Sequence, residues 1–328
     1  MTVPASSTAP VDHAGWLAHF PVALFSTVMG VAGLAIAWLK AHHGGGVPPE
    51  AGIVLRWLAS GLYVFLLAVY AAKVLRHPDA VRADWAHPVR LNFFPAISIG
   101  LILLGIAWAQ DAPAVARWLW GIGAAVHLTF TLFAMSSWIH HTHYDIKHAN
   151  PAWFIPVVGN ILVPIAGVHF APADVSWFFF SIGLVFWLVL MTIVLYRLFF
   201  HEPLPARLTP TLFILIAPPA VGFISYVALT GQLDAFARVL YFTALFLTLL
   251  LASNAARFFR LSFFISAWAY SFPLAAMTIA TFEMSARSGS VFHAGLSWVL
   301  LATLSAVVAL LAVKTLAAAA GHRICVPE

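Results

Sequence analysis

The sequence predicts an all-α integral membrane protein, and three observations support that prediction. The chain of 328 residues is 62% hydrophobic, and its mean hydropathy is +0.96. Charged residues make up only 8% of it, whereas a soluble domain carries about 25%. The apolar stretches are continuous over roughly 20 residues, the length of a membrane-spanning helix, and they lack the alternation of a transmembrane β-barrel.

Ten such stretches follow one another, separated by short turns rich in glycine, proline and charged residues. No linker is long enough to separate two domains, so residues 16–320 are expected to form one transmembrane domain. Residues 1–15 and 321–328 are expected to be tails, and the first tail lacks the basic residues of a cleavable signal peptide. The predicted spans are 16–40, 52–75, 89–110, 114–139, 152–170, 174–199, 208–230, 234–256, 261–283 and 292–319.

Proline occurs in every odd-numbered span and in none of the even-numbered ones. Because proline cannot donate to the carbonyl four residues back, each odd span is predicted to be bent and each even span straight. Five such hairpins recur about every 60 residues, which indicates a repeated architecture with bent helices around an axis and straight helices facing lipid. The prolines on which this prediction rests are Pro21, Pro95, Pro156, Pro164, Pro218, Pro219 and Pro273.

The ninth span carries small residues along one helical stripe, and one large side chain, Phe272, lies beside them. The following proline is predicted to bend the helix at Phe272 and to leave the carbonyl of Ala269 unpaired. Two interpretations stay open: the stripe packs against a neighbouring helix, or it lines a lumen that Phe272 plugs. The stripe consists of Ser262, Ser266, Ala269, Pro273, Ala276 and Ala280.

The acidic residues all fall in tails, loops or span ends. Ion-coupled carriers usually place a titratable group within the membrane, and cation channels ring their pores with carboxylates. A pore is therefore predicted to have a neutral lining, which suits an anion that is weakly held. Carbonyls exposed at bends would repel anions, so the bends alone do not predict anion selectivity. The predicted polar lining is Ser26, Thr27, Ser98, Asn160, Ser266, Ser271 and Thr278.

Most basic residues lie on the side of the membrane that holds both termini, which predicts cytoplasmic termini by the positive-inside rule. The net charge of +5 therefore reflects membrane topology and not a nucleic-acid-binding surface. The basic residues on the terminal side are Lys73, Arg76, Arg82, Arg90, Lys147, Arg197, Arg207, Arg257, Arg260, Lys314 and Arg323. Those on the opposite side are Lys40, Arg56, Arg117, Arg238 and Arg287.

Histidines offer two further candidate sites. His127 lies deep in the fourth span, where a neutral imidazole hydrogen-bonded between helices is favoured over a proton relay or a haem ligand. The second candidate is a cluster of four histidines in one loop, His140, His141, His143 and His148. A membrane metalloenzyme needs several such clusters that converge from different segments, so a solvated loop is favoured over a metal site. The sequence therefore predicts no metal, no other cofactor and no enzyme activity.

Three motifs resemble the tellurite-resistance/dicarboxylate transporter family, which includes the bacterial TehA proteins and the slow-type anion channels of plant guard cells. They are LFSTVMGVAGLAIAW at 24–38, VRADWAHPVRLNFF at 81–94 and AWAYSFPLAAMTIATF at 267–282. The resemblance implies five helical hairpins in quasi-fivefold arrangement around one central pore per protomer, a homotrimer, and passage of small anions such as chloride or nitrate. It also implies that the family's gating phenylalanine is Phe272.

Two functions follow. The first is an anion channel of the cell inner membrane, gated by Phe272; the alternative is a secondary transporter of C4-dicarboxylate, sulfite or tellurite oxyanions, with His127 as the group that couples transport to pH. Small inorganic or organic anions and membrane lipid are the expected partners. The candidate pore-lining residues are Phe25, Ser26, Gly30, Phe94, Ser98, Asn160, Pro218, Ser266, Ala269, Ser271, Pro273 and Ala276.

Overall fold

The computed structural model describes residues 15–140 and 144–326, and within them ten helical spans are long and apolar enough to cross a membrane. The predicted number of spans is confirmed. The first span begins later than predicted because residues 16–19 form a turn before Pro21. Residues 1–14 of the predicted N-terminal tail lie outside the described part. The spans are Val22–Gly45, Glu50–Arg76, Arg90–Trp108, Pro113–His140, Pro151–Phe170, Ala173–Phe200, Thr209–Thr230, Ala235–Ser253, Ile265–Ser288 and Val291–Ala320.

The odd-numbered spans lie inside the protein and the even-numbered spans surround them. In the most apolar stretch of each odd span 67% to 78% of the residues are buried, against 28% to 39% in the even spans. The five odd spans, here called the inner segments, contact one another in succession, and the ninth also contacts the first, which closes a ring. Each even span, here called an outer helix, packs against the inner segment that precedes it and against the next one around the ring.

The prolines do not bend continuous α-helices, which corrects the prediction from the sequence. In the inner segments a 3-10 helix gives way to an α-helix. Pro21 precedes the 3-10 helix Val22–Leu24, whereas the other prolines named above lie at or just before the start of an α-helix. Pro95 immediately precedes the helix Ala96–Trp108, and Pro273 is the third residue of the helix Ser271–Ser288. Proline fits there because the first turn of a helix needs no intrahelical N–H donors.

The outer helices are uninterrupted α-helices, whereas the inner segments are divided. Because the number of spans in the described residues is even, the start of the first span and the end of the tenth lie on the same face, here called the terminal face. The opposite face is here called the far face. The 3-10 helices of the inner segments are Val22–Leu24, Arg90–Phe93, Pro151–Trp153, Gly159–Leu162, Thr209–Ile216 and Ile265–Tyr270. Their α-helices are Phe25–Gly45, Ala96–Trp108, Phe154–Val158, Pro164–Phe170, Ala217–Thr230 and Ser271–Ser288. Short helices also occur between spans at Pro78–Ala86, Ile146–His148 and Ala255–Phe259.

Two glycines let the first and ninth inner segments approach closely. A Cβ atom on Gly30 would lie 2.3 Å from the Ser271 hydroxyl, and one on Gly33 would lie 2.8 Å from Cβ of Ala275. The same Cβ on Gly33 would lie 3.6 Å from the ring of Phe272. Small residues thus form the seam that closes the ring, as they do at many membrane helix contacts.

Candidate functional site: an axial cavity

A cavity lies where the five inner segments meet, close to the junctions between 3-10 helix and α-helix. Every inner segment contributes to its wall, and representative residues in chain order are Ser26, Ala96, Gly159, Pro218 and Phe272. Its volume is about 70 Å³. Since one water molecule requires about 10–15 Å³ by this measure, the cavity has room for only about five to seven waters. It is therefore large enough for a small ion that has lost most of its hydration shell.

The wall of the cavity is more apolar than the sequence predicted. It includes the aromatic residues Phe93, Phe154, Trp268 and Phe272, accompanied by aliphatic side chains. Among the described residues of the wall, polar side-chain groups come from the hydroxyls of Ser26 and Ser266 and the indole of Trp268, and none is charged. Hydrophobic constrictions of this kind control permeation by excluding water.

Six of the predicted site residues line this cavity. Phe272 is half-buried in the wall and occupies the first turn of the ninth segment's α-helix, with its ring beside Gly33. The six are Ser26, Pro218, Ser266, Ala269, Phe272 and Pro273.

Two predicted aromatic residues lie away from the cavity. The ring of Phe25 makes edge contacts with the outer helix, at 5.9 Å from Tyr63 and 6.1 Å from Tyr70 between ring centroids. Phe94 contacts Trp85 in the same way at 4.8 Å. Each is the chain neighbour of a residue that does line the wall, and successive side chains on a helix point about 100° apart. The structure therefore replaces Phe94 by its neighbour Phe93, a residue that spacing with 96 and 99 could have identified.

The other predicted polar residues are engaged within the helix packing. The Ser98 hydroxyl donates to the carbonyl of Pro95 at 2.8 Å, and the Ser271 hydroxyl donates to that of Trp268 at 2.6 Å. The Asn160 amide donates to the Thr131 hydroxyl at 2.8 Å. Thr27 and Thr278 also donate to carbonyls of their own helices, Leu24 and Leu274. Such bonds satisfy polar groups at membrane depth.

Gly30 and Ala276 are two further candidates that the structure places outside the cavity wall. Gly30 lies in the seam against Ser271, where its missing side chain is required for the contact. Ala276 is 2% exposed and belongs to the hydrophobic core. Both therefore act in the packing between inner segments.

His127 lies directly behind the cavity wall. Its Nδ1 is 2.9 Å from the Ser98 hydroxyl, which links the fourth span to the third. Because that hydroxyl already donates to Pro95, Nδ1–H is the donor in this pair. On the other side, a Cβ atom on Gly159 would lie 2.6 Å from Nε2, so only glycine leaves room for the ring.

The loop histidines do not form a described metal site. Within residues 15–140 and 144–326, no group of three His, Cys, Asp or Glu side chains lies close enough together to hold a metal ion. Nδ1 of His148 accepts a hydrogen bond from the backbone N–H of Asp145 at 3.1 Å. His141 and His143 lie outside the described residues.

A buried charge network stands at the terminal face. The ammonium group of Lys73 donates to Asp84 at 2.6 Å and to the carbonyl of Phe20 at 2.9 Å. The guanidinium group of Arg90 donates to the other oxygen of Asp84 at 2.9 Å. The network thus joins the starts of the first and third inner segments to the end of the outer helix between them.

Comparison with known proteins finds similar chains. The family model described as SLAC1, voltage-dependent anion channel, matches residues 19–316, which include nearly all of the ten spans. The S-type anion channel SLAH3 of Arabidopsis thaliana is 30% identical over 278 residues, covering 81% of this chain and 43% of SLAH3. The guard cell S-type anion channel SLAC1 of the same plant is 27% identical over 281 residues, covering 82% of this chain and 50% of the relative.

A bacterial protein is similar over most of its own length. The tellurite resistance protein TehA homolog of Haemophilus influenzae is 26% identical over 284 residues, covering 84% of this chain and 82% of the relative. By contrast, the chain spans only about half the length of the two plant relatives. The similarity therefore concerns the membrane spans above all.

Proposed function

The chain belongs to the SLAC1 family of voltage-dependent anion channels, the tellurite-resistance/dicarboxylate transporter family that its motifs resemble, and we propose that it conducts small anions through the inner ring and that Phe272 closes the pore. The observation that carries the proposal is the cavity to which all five inner segments contribute, with Phe272 in its wall. Like its family, this multi-pass membrane protein is a transport protein.

Two features favour an anion over a cation. The wall, as far as the structure describes it, has no carboxylate that would attract a cation. Three described acidic residues are buried or half-buried near the ends of the ring. Asp84 and Glu283 each pair with two basic side chains, and Asp234 accepts hydrogen bonds from the Tyr226 hydroxyl and the backbone N–H of Ala237. Hydroxyls also donate to several backbone carbonyls at the junctions, which reduces the repulsion that those carbonyls exert on an anion.

The apolar wall favours anions that lose their hydration shells easily. Moving an ion from water into an apolar site costs desolvation free energy, and the few hydroxyls present cannot replace a full shell. Monovalent anions such as chloride and nitrate therefore suit the cavity better than divalent oxyanions. Brief occupancy and rapid release follow from the same weak binding.

Opening requires movement of one ring. A rotamer change of Phe272 exchanges a closed and an open state of the wall, and any signal that stabilises one rotamer shifts the population. Gly33 lies beside the ring and sets the room available to it. The cost of the change is thus determined by the packing between the first and ninth segments.

Replacement of Phe272 by alanine tests the proposal. The purified Phe272→Ala variant, reconstituted in planar bilayers, is expected to carry a larger anion current than the wild type. The matched control is Phe246→Ala, which removes a ring that is 63% exposed on an outer helix and is expected to leave the current unchanged. An unchanged current in Phe272→Ala would refute the gate.

A carrier remains the alternative, and the position of His127 behind Gly159 is the observation that favours it. A carrier would show flux that saturates with substrate, depends on pH and is lost in His127→Ala. Normal, pH-independent flux in that variant would exclude coupling through this histidine.

We also propose that the protein lies in the cell inner membrane as a homotrimer with cytoplasmic termini. The concentration of basic residues at the terminal face supports the orientation. Cross-linking in native membranes tests the trimer, and protease access to the terminal face in right-side-out vesicles tests the orientation.

A further inference from the structure

A second charged cluster lies toward the far face, beyond the cavity. The ammonium group of Lys40 on the first inner segment pairs with Glu283 on the ninth. Arg287 donates to the other oxygen of Glu283 at 2.5 Å and to the carbonyl of Gly231 at 2.7 Å. The cluster therefore connects the first and ninth segments to the end of the seventh.

Helix geometry directs this cluster toward the axis. In an α-helix, 11 residues complete about three turns to within about 20° and rise about 16 Å. Lys40 follows Met29 by that interval, and Glu283 follows Phe272 by the same interval, within the uninterrupted helices Phe25–Gly45 and Ser271–Ser288. Met29 and Phe272 both line the cavity. Lys40 and Glu283 consequently face the axis about 16 Å beyond the cavity.

The neighbouring inner segments supply apolar residues at this side of the cavity. Ile106 and Ala228 follow the wall residues Ile99 and Val221 by seven residues, which is about two helical turns. They therefore lie on the same helix faces of the third and seventh segments as those wall residues. The cluster is also accessible, because the side chains of Lys40 and Glu283 remain 36% and 16% exposed. An ion that travels along the axis therefore meets these charged groups after leaving the cavity.

We propose that Lys40, Glu283 and Arg287 form a charged far mouth of the pore, in which Glu283 lowers the rate of anion entry by neutralising one of two cations. This inference rests on the proposed function and adds to it the residues that set anion entry. Two cations and one carboxylate leave one net positive charge. An arriving anion can replace Glu283 as the partner of Lys40, so the ion pair exchanges with the permeating ion.

The size of the effect follows from Coulomb's law. A unit charge about 8 Å from a monovalent ion in water changes the local concentration of that ion about twofold. Glu283→Gln adds one positive charge to the mouth and Lys40→Met removes one. At an ionic strength of 1 M the Debye length falls to about 3 Å, so both effects should largely disappear.

Unitary conductance in the Phe272→Ala background measures this directly. Glu283→Gln is expected to raise the anion conductance about twofold at low salt, and Lys40→Met is expected to lower it by a similar factor. Both differences should vanish at 1 M salt. The matched control is Arg117→Gln, which removes an exposed cation from an outer helix near the same face and is expected to change nothing.

The outcomes separate the two proposals. Unitary conductance does not depend on how much protein folds, so a poorly expressed variant still gives a valid value. If a single variant yields no channels, the exchanged pair Lys40→Glu with Glu283→Lys replaces it and is expected to restore wild-type conductance. If Phe272→Ala conducts and the mouth variants do not differ from Arg117→Gln, the far mouth is refuted alone. If Phe272→Ala conducts no anions, the channel and its mouth are both refuted.

Discussion

Removal of the Asp84 carboxylate should destabilise the protein strongly, because it strands a buried charge. Lys73 is only 2% exposed, and its ammonium group contacts Asp84 and the carbonyl of Phe20. Asp84→Asn preserves the shape of the side chain but removes the negative charge that balances the ammonium group of Lys73. Breaking one partner of a buried ion pair costs about 3–5 kcal/mol of unfolding free energy. The loss of the Arg90–Asp84 pair adds little to this destabilisation, since the Arg90 side chain is 37% exposed and stays hydrated.

Equilibrium unfolding in mixed detergent micelles gives the measurement, with Asp79→Asn as the control. Asp79 pairs with Arg82, and their side chains are 92% and 79% exposed. Such exposed pairs contribute at most about 1 kcal/mol, so this variant should unfold close to the wild type. A double variant, Lys73→Met with Asp84→Asn, removes the stranded charge and should recover most of the loss.

Equal stability of Asp84→Asn and Asp79→Asn would refute this reasoning. That result would mean that water reaches Lys73 in the membrane and solvates it. Failure of the double variant to recover stability would instead mean that packing around the Lys73 side chain, and not its charge, dominates.

Two further predictions concern the seam and the wall. Gly33→Ala should lower stability and alter the anion current, because the new Cβ would lie 2.8 Å from Cβ of Ala275 and would push the first segment away from the ninth, beside Phe272. Thermal unfolding and conductance measurements check this prediction. The control is Gly61→Ala, whose Cβ would meet nothing within 4 Å. In the open Phe272→Ala variant, nitrate should permeate better than the more strongly hydrated chloride, and bi-ionic reversal potentials that show the opposite order would contradict the apolar wall as the selective element.

The proline pattern was sufficient to predict the division into inner segments and outer helices. Proline in alternate spans required neighbours that satisfy the backbone, and the structure buries those spans inside the ring. The division of each inner segment into 3-10 helix and α-helix could not be predicted in the same way. Proline in the first turn of an α-helix and proline at a bend leave the same pattern in the sequence.

The wall residues were harder to predict because their direction depends on helix type. Successive side chains are rotated by about 120° in a 3-10 helix and by about 100° in an α-helix. A helical projection that assumes one period across a junction therefore assigns side chains to the wrong face of the segment. Phe25 and Phe94, two predicted lining residues beside such junctions, lie away from the wall, whereas Phe272 lies in it. The pairing of Lys40 with Glu283 is invisible to local patterns, since 243 residues separate them.

The seam between the first and ninth segments has a consequence for biosynthesis. The ring stays an open arc until the ninth segment leaves the ribosome and docks on the glycines of the first. That late segment also carries Phe272. The segment that closes the ring is thus the same one that supplies Phe272 to the wall of the cavity.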